Sequence, residues 1–291
     1  MNIILSINGG MGKSVMATAV CRAIRNNYPT CKLYVITGFP EVFSNISSVD
    51  MAFYHGGEHF FYSKYIENQE YKIFANEPYL VTEHIQCKEH LIETWCKMNG
   101  IVYNGEMPEV FINEREEKFY QFKYQSNREI MVIQTNGGAQ NQEVKYSWAR
   151  DIPNHVVQSI IEHFHTRYDI YHVRRDDQFS YENTFHVNET FKGIAHLIRR
   201  SSKRLFMDSF CQHIAASLGK KSTVLWIANP HNVFGYAIHD NILANKETKK
   251  PDLRNALFTK YNISGALHEF PYESERDIFD VGTIIDSINK Q

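Results

Sequence analysis

The chain has 291 residues, enough for about two domains at roughly 150 residues each, and domains of that size bury a substantial core. Of these residues 43% are hydrophobic, 22% charged and 13% aromatic, which excludes a disordered or collagen-like chain and a small disulfide-stapled module. Lysine and arginine number 31 against 33 aspartate and glutamate, a net charge of -2 with neutral histidines, so no whole-molecule field draws the protein onto nucleic acid or membrane.

The longest clean apolar run, residues 224–228, is far short of the ~20 residues a membrane helix needs. The first seven residues lack the basic start and long apolar centre of a signal peptide. Both observations predict a soluble, cytoplasmic protein without a transmembrane segment. Cys21, Cys31, Cys87, Cys96 and Cys211 are odd in number and scattered, a pattern of reduced thiols rather than a disulfide framework.

The opening reads as strand 2–7, Gly-rich loop 8–12, helix 13–25 and strand 32–37, an alternation that predicts a parallel sheet with crossover helices. Ala17, Val20, Cys21 and Ile24 recur at helical spacing, and Asn27, Tyr28 and Pro29 end the helix. A short strand over 51–54 follows, then a stretch, 55–79, with no clear period, read as an insertion or loop. Ile85, Leu91, Ile92 and Trp95 predict a helix over 83–98, stopped by Asn99 and Gly100. Residues 114–128 are charged and aromatic, and the domain boundary is placed there, giving domains 1–126 and 127–291. A second series then begins: strand 130–135, loop 136–148, helix 154–165, strand 168–173, helix 191–199, strand 204–207, helix 209–218 and strand 222–227. The fold class is therefore α/β, two Rossmann-like domains facing a cleft, with ligands at the carboxyl ends of the strands. The last helix, 273–289, is amphipathic and can pack back on the first domain.

Three segments carry chemistry. The first loop holds Gly9, Gly10, Gly12, Lys13 and Ser14 directly after strand one, the context in which backbone amides and a helix start cradle phosphate. A nucleoside-triphosphate P-loop needs glycine, four residues, then Gly-Lys-Ser/Thr, and Ile7 stands where the first glycine belongs. The second segment, Thr135-Asn136-Gly137-Gly138 followed by Lys145 and Trp148, combines a glycine turn that permits close ligand approach with a mobile cation. In the third, Asp208 and Ser209 sit where strand becomes helix, Ser209 can cap that helix, and His213 lies one turn inside it. A capped helix with a packed histidine explains the third segment equally well. His84, Cys87 and His90 do not cluster on one helix face, which argues against a metal site, and the basic run Arg199-Arg200 with Lys203-Arg204 reads as a solvated face.

Taken together and in this order, the three segments resemble glycosyltransferase family 9, the lipopolysaccharide heptosyltransferase-like enzymes. The resemblance implies a GT-B fold and an inverting, metal-independent transferase of hexosyl, heptosyl or pentosyl groups, without a cofactor beyond its nucleotide-diphosphate sugar. It assigns donor binding to Gly137, Lys145, Asp208, Ser209 and His213, and an acceptor-side loop to Gly9, Gly10 and Gly12. A glycan or lipopolysaccharide-precursor hydroxyl is the implied acceptor, a hydroxylated nucleobase a less favoured one.

Two residues depart from the family pattern. Lys13 stands where the resemblance implies an aspartate base, and a lysine is protonated unless burial lowers its pKa strongly. Asp50, His55, Glu58 and His59 flank the third strand and are the nearest replacement carboxylates and imidazoles. Phe210 stands where the family has glycine, which narrows the donor side. A P-loop-type ATPase, and a degenerate glycosyltransferase that binds without catalysing, are the alternative readings.

Overall fold

The computed structural model describes residues 1–137, 147–253 and 270–291, and the chain divides into two compact units, Met1–Phe111 and Ile112–Gln291. In the first unit β1 (Asn2–Ile7), β2 (Lys32–Thr37), β3 (Met51–Tyr54) and β4 (Tyr71–Phe74) form a parallel sheet in the order β3-β2-β1-β4. Central β1 pairs on both sides, Ile4 lying opposite Tyr34 of β2 and Ile73 of β4. Its Ile3, Ile4, Leu5 and Ile7 are all buried, as a parallel strand covered on both faces requires. Helix α1 (Met11–Asn27) crosses over from β1 to β2 and buries Val15, Met16, Ala19, Val20, Ala23 and Ile24.

Within the expected loop 55–79 lie a short helix, α2 (Phe61–Tyr65), and β4. Tyr71, Lys72 and Ile73 of that edge strand are exposed, so it carries no burial period. The expected helix 83–98 is two helices, α3 (Thr82–Ile85) and α4 (Leu91–Met98). Cys87 between them has φ +49°, a left-handed conformation that ends a helix. His90 then starts the second by accepting the Ile92 N–H at Nδ1, 3.2 Å.

The second unit begins with α5 (Glu114–Lys123), closed at its start by a reciprocal Asn113–Glu116 capping box. This helix packs on α7 (Phe191–Arg200), where Tyr120 Oη lies 2.6 Å from Thr190 Oγ1. The division at Phe111 therefore precedes the helix, upstream of residue 126.

The remaining elements are β5 (Glu129–Ile133), α6 (Asn154–Phe164), β6 (Tyr168–Val173), β7 (Phe185–Val187), β8 (Lys203–Met207), α8 (Phe210–Ser217), β9 (Thr223–Trp226), α9 (His231–Phe234), β10 (Asp240–Leu243) and α10 (Val281–Asn289). The six strands are parallel in the order β10-β9-β8-β5-β6-β7. Numbered along the chain, this is the 3-2-1-4-5-6 order of doubly wound sheets, and it reverses between β5 and β8. The first sheet has the same 3-2-1-4 core and reverses between β1 and β4.

The core of the second unit is built from Ile133, Val156, Ile160, Phe164, Ile170, Leu205, Leu225 and Ile284. Helix α10 packs on α6, β8 and β9 of its own unit, and Ser287 Oγ lies 2.6 Å from Thr223 Oγ1. Of the basic run, Arg204 is buried and donates to the carbonyls of Lys221, Ser201 and Ser202, Arg200 donates to the Tyr124 carbonyl, and Arg199 pairs with Glu117. That run is a structural clasp.

Two buried histidines give the fold a pH signature. Burial, with Arg174 and His186 adding to it, lowers His172 from 6.5 to about 3, and burial lowers His239 from 6.5 to about 4 against the opposing bond to the Gln212 carbonyl. Below pH 6.5 the unfolded chain takes up protons that the native state refuses, so stability falls as pH falls across the window from 6.5 to about 4. Each histidine contributes up to about 1.4 kcal/mol per pH unit in that window. Urea unfolding is expected to show a lower midpoint at pH 5 than at pH 7, and a smaller difference in His239→Gln. Equal wild-type midpoints would contradict buried neutral imidazoles.

Candidate functional site

In a doubly wound sheet the loops at the carboxyl edge diverge where the strand order reverses, and ligands bind there. In the second unit that edge is formed by the residues leaving β5 and β8. After β5, Gln134 Oε1 accepts the Cys211 N–H near the start of α8, 3.4 Å, and Thr135 Oγ1 lies 2.9 Å from His172 Nε2 while donating to Asn136 Oδ1. The Gly137 N–H donates to Asp151 Oδ1 at 2.8 Å, and the Ser147 N–H donates to Asp151 Oδ2 at 2.9 Å. One buried carboxylate thus binds the backbone of both Gly137 and Ser147. Gln178 Nε2 donates to the Gly137 carbonyl at 3.0 Å, fixing the glycine from its other side.

Against this glycine lies Arg150. Its Nε donates to the Asp208 carbonyl at 2.8 Å, and a Cβ on Gly137 would stand 3.0 Å from its Cζ. A side chain at 137 would crowd the guanidinium, which would have to give by a few tenths of an ångström, so glycine lets Arg150 lie close against the backbone. Asp208 Oδ2 accepts from Asn229 Nδ2. Ser209 is the residue before α8, extended at φ -155°, and its side chain makes no cap bond; the Gln134 side chain meets the Cys211 amide instead. His213 is 3% exposed, with Nδ1 2.9 Å from Tyr236 Oη. It is a packed histidine beside Gln212 and Tyr236. Gly137, Asp208 and Ser209 are therefore brought together with Arg150, and His213 is turned into the protein. Gly138 and Lys145 lie outside the described residues.

In the first unit the exposed loop Asn8, Gly9 and Gly10 leads from β1 into α1. Gly9 has φ +107°, and a Cβ there would meet Lys13 Cδ at 3.3 Å, so the loop lies over the lysine stem. Gly10 precedes the helix, with no side-chain cap. Lys13 is 5% exposed, and its Nζ donates to both oxygens of Glu77, at 2.6 and 2.7 Å. The Nζ also stands 4.8 Å from the centre of the Tyr79 ring and 5.2 Å from that of Trp95. Burial lowers the lysine pKa and the Glu77 bond and charge oppose it. Glu77 follows β4, so the pair spans the reversal between β1 and β4.

The other candidates of this unit are dispersed. Asp50 precedes β3, at the amino edge of the sheet, and accepts from Arg25 (2.6 Å), Lys32 (2.9 Å) and the Leu33 N–H (2.9 Å). Burial works to raise its pKa, but those bonds outweigh it and hold the carboxyl below the usual range. His55 is on the carboxyl edge, Nε2 3.1 Å from the Ile7 carbonyl. Glu58 pairs with Lys64 at 2.6 Å, and His59 is exposed. Sequence reasoning missed Arg150, Asp151 and Glu77. The first two carry a weak signal, an Arg-Asp pair just before the proline that precedes α6; Glu77 carries none, since β4 itself has no period. Among the described residues no group of three or more His, Cys, Asp or Glu could hold a metal ion, and no helix is long and apolar enough to cross a membrane.

The two parallel α/β sheets match the GT-B fold of solved heptosyltransferase structures. The solved structures that share it with this chain include an ADP-heptose lipopolysaccharide heptosyltransferase II from E. coli, at TM-score 0.70 and 12% identity over 100% of this chain and 98% of that one. A family 9 glycosyltransferase from Veillonella parvula matches at TM-score 0.68 and 10% identity over 99% and 96%. TibC, described as a dodecameric iron-containing heptosyltransferase in complex with ADP-D-beta-D-heptose, matches at TM-score 0.68 and 10% identity over 99% and 75%. No protein-family model matches the chain, and no curated protein matches it in sequence. The shared property is the fold.

Proposed function

We propose that the protein is a glycosyltransferase that moves a sugar from a nucleotide-diphosphate sugar to an acceptor hydroxyl, with inversion at the anomeric carbon. The observation that carries this reading is Arg150, whose guanidinium lies on Gly137 and is held by Asp208 at the reversal of a six-stranded doubly wound sheet. A diphosphate needs cations and oriented amides, and this edge supplies a guanidinium fork and the amino end of α8. In the reaction the acceptor oxygen bonds to the anomeric carbon as the bond from that carbon to the diphosphate oxygen breaks. The nucleoside diphosphate leaves with the electron pair, and fixed positive groups lower the barrier by meeting its growing charge.

In this reading the donor is held by Gly137, Arg150, Asp208 and Ser209, with Lys145, outside the described residues, a further cation, and no divalent metal is assigned to the leaving group. The neighbouring TibC structure binds an ADP-heptose, which makes ADP-sugars the first donors to test; a glycan or lipopolysaccharide-precursor hydroxyl is the acceptor class. Lys13, the lysine that an ATPase reading needs free for phosphate, is instead bonded to Glu77 beneath two rings.

Gly137→Ala tests the carrying observation. The methyl group pushes the guanidinium off its position by a few tenths of an ångström, and nucleotide-sugar affinity measured by calorimetry is expected to fall by up to about tenfold, roughly one charge-assisted hydrogen bond. An unchanged affinity would remove Arg150 from the donor site.

A further inference from the structure

A strand with a neighbour on one side only turns every second backbone N–H and C=O to the open side, where they can template a further strand. β4 is such an edge of the first sheet. The Asn2 N–H donates to the Glu70 carbonyl at 2.7 Å, which fixes the alternation: Glu70, Lys72 and Phe74 turn their polar backbone groups to β1, and Tyr71 and Ile73 turn theirs outward. Among the described residues, none of those outward groups meets a partner.

The side chains of the same two residues are open as well. Tyr71 is 47% and Ile73 49% exposed, and they share one face of the strand. Lys72 lies on the other face, where its Nζ donates to Tyr28 Oη of the α1 end at 2.9 Å. Glu70 is exposed and joins no ion pair among the described residues. An edge of this kind is normally blunted by proline, by a bulge or by charge. β4 has no proline, and its charges alternate in sign around Tyr71, Glu70 on one side and Lys72 on the other.

We propose that β4 is the contact through which two copies of this chain pair, the strands running antiparallel about a two-fold axis at Tyr71, so that the two four-stranded sheets continue into one. On this axis the Tyr71 N–H donates to the carbonyl of the partner's Tyr71 and the reverse bond forms in return. Lys72 then falls opposite the partner's Glu70, and Glu70 opposite the partner's Lys72, both at the close, non-hydrogen-bonded positions of the ladder. Charge therefore chooses the register. An axis at Lys72 would oppose two lysines at such a close position, which destabilises, and an axis at Ile73 would set Lys72 against the partner's Phe74. The other edge of the sheet offers no such match, since Met51, Ala52, Phe53 and Tyr54 of β3 are uncharged and the preceding Asp50 is committed to Arg25 and Lys32. Two backbone bonds, two ion pairs and a pair of tyrosine rings make a small interface, of the weak and concentration-dependent class.

Sedimentation velocity of the full chain over a concentration series reads the association directly, and wild type is expected to pass from monomer to dimer as concentration rises. Glu70→Lys and Lys72→Glu each turn both attractive pairs into repulsive ones, and each is expected to weaken self-association about tenfold or more. Mixed in equal amounts, the two variants present opposite charges to each other and are expected to associate at least as well as wild type. A purely structural role for either side chain would not produce that recovery. Tyr71→Pro removes the outward N–H and leaves the ladder to β1 in place, since proline is tolerated on an edge strand where its nitrogen faces solvent. It is expected to abolish the dimer with the unfolding temperature within a few degrees of wild type. A wild type that stays monomeric at every concentration would overturn the proposal, even if the edge then took up an extended strand of a different protein. A dimer that survives Tyr71→Pro, or mixed charge variants that associate no better than each alone, would place the contact elsewhere and overturn it equally. Should Tyr71→Pro fold poorly, the mixing experiment decides, because both of its substitutions are at exposed positions.

Discussion

Replacing Arg150 by alanine is expected to weaken nucleotide-sugar binding about 100-fold while leaving the thermal unfolding temperature within a few degrees of wild type. The guanidinium makes one bond to its own unit, from Nε to the Asp208 carbonyl at 2.8 Å, and among the described residues its terminal nitrogens make none. Those nitrogens form a planar fork suited to phosphate oxygens. Two hydrogen bonds to a charged group, at the low end of their usual ~1.5–3 kcal/mol each, amount to about 3 kcal/mol, and every ~1.4 kcal/mol is tenfold in affinity. Arg150→Lys keeps the charge but not the fork and is expected to recover only part of the loss. Calorimetric titration with the ADP-sugar measures both variants. An Arg150→Ala protein that binds as tightly as wild type would show that the diphosphate is held elsewhere.

Asp151→Ala is expected to cost about 2–4 kcal/mol of folding stability and to abolish measurable donor binding. Asp151 is fully buried and accepts the N–H groups of Gly137 and Ser147. Truncation leaves both donors without their acceptor, at ~1–3 kcal/mol for each group that stays out of water. It also frees the glycine on which Arg150 rests, so the effect passes from backbone to binding. Asp151→Asn retains one acceptor oxygen and is expected to recover roughly half of the stability. Urea unfolding of the three proteins measures the series, and an Asp151→Ala protein as stable as wild type would contradict a structural role for the bonds to Gly137 and Ser147.

Much of this architecture is legible in the chain because parallel, doubly covered strands leave short apolar runs and their helices leave 3.6-residue periods. β1, β2, β3 and β6 lie where their side chains put them, and α1, α6 and α7 differ from expectation only at their ends. What is illegible is what tertiary contact decides. β4 is an exposed edge strand with no period, and β7 and β10 are equally short edge elements. The break between α3 and α4 depends on the left-handed backbone of Cys87, a residue type that gives no warning of it. At the site, the glycine turn and the Asp208-Ser209 helix start are visible as local patterns. Arg150 and Glu77 are not, because each acquires its meaning from a partner far along the chain, Asp208 in one case and Lys13 in the other.

The same reason governs Lys13. In the sequence it reads as a base lost or as a phosphate lysine; in the fold it is buried against a carboxylate supplied by the next strand in the sheet. Taking one partner from a buried pair is costly because the other charge remains, which favours changing Lys13 and Glu77 together.

Donor binding by the second unit turns on Arg150 and its fork of terminal nitrogens. The most direct test is thermal unfolding of wild type and Arg150→Ala with ADP-, GDP-, UDP- and CDP-sugars and, separately, with ATP and magnesium, since a ligand bound only by the native state raises the unfolding temperature. One class of nucleotide sugar is expected to stabilise the wild type, and Arg150→Ala is expected to lose this stabilisation. Stabilisation by magnesium ATP alone, or by no nucleotide sugar at all, would contradict it.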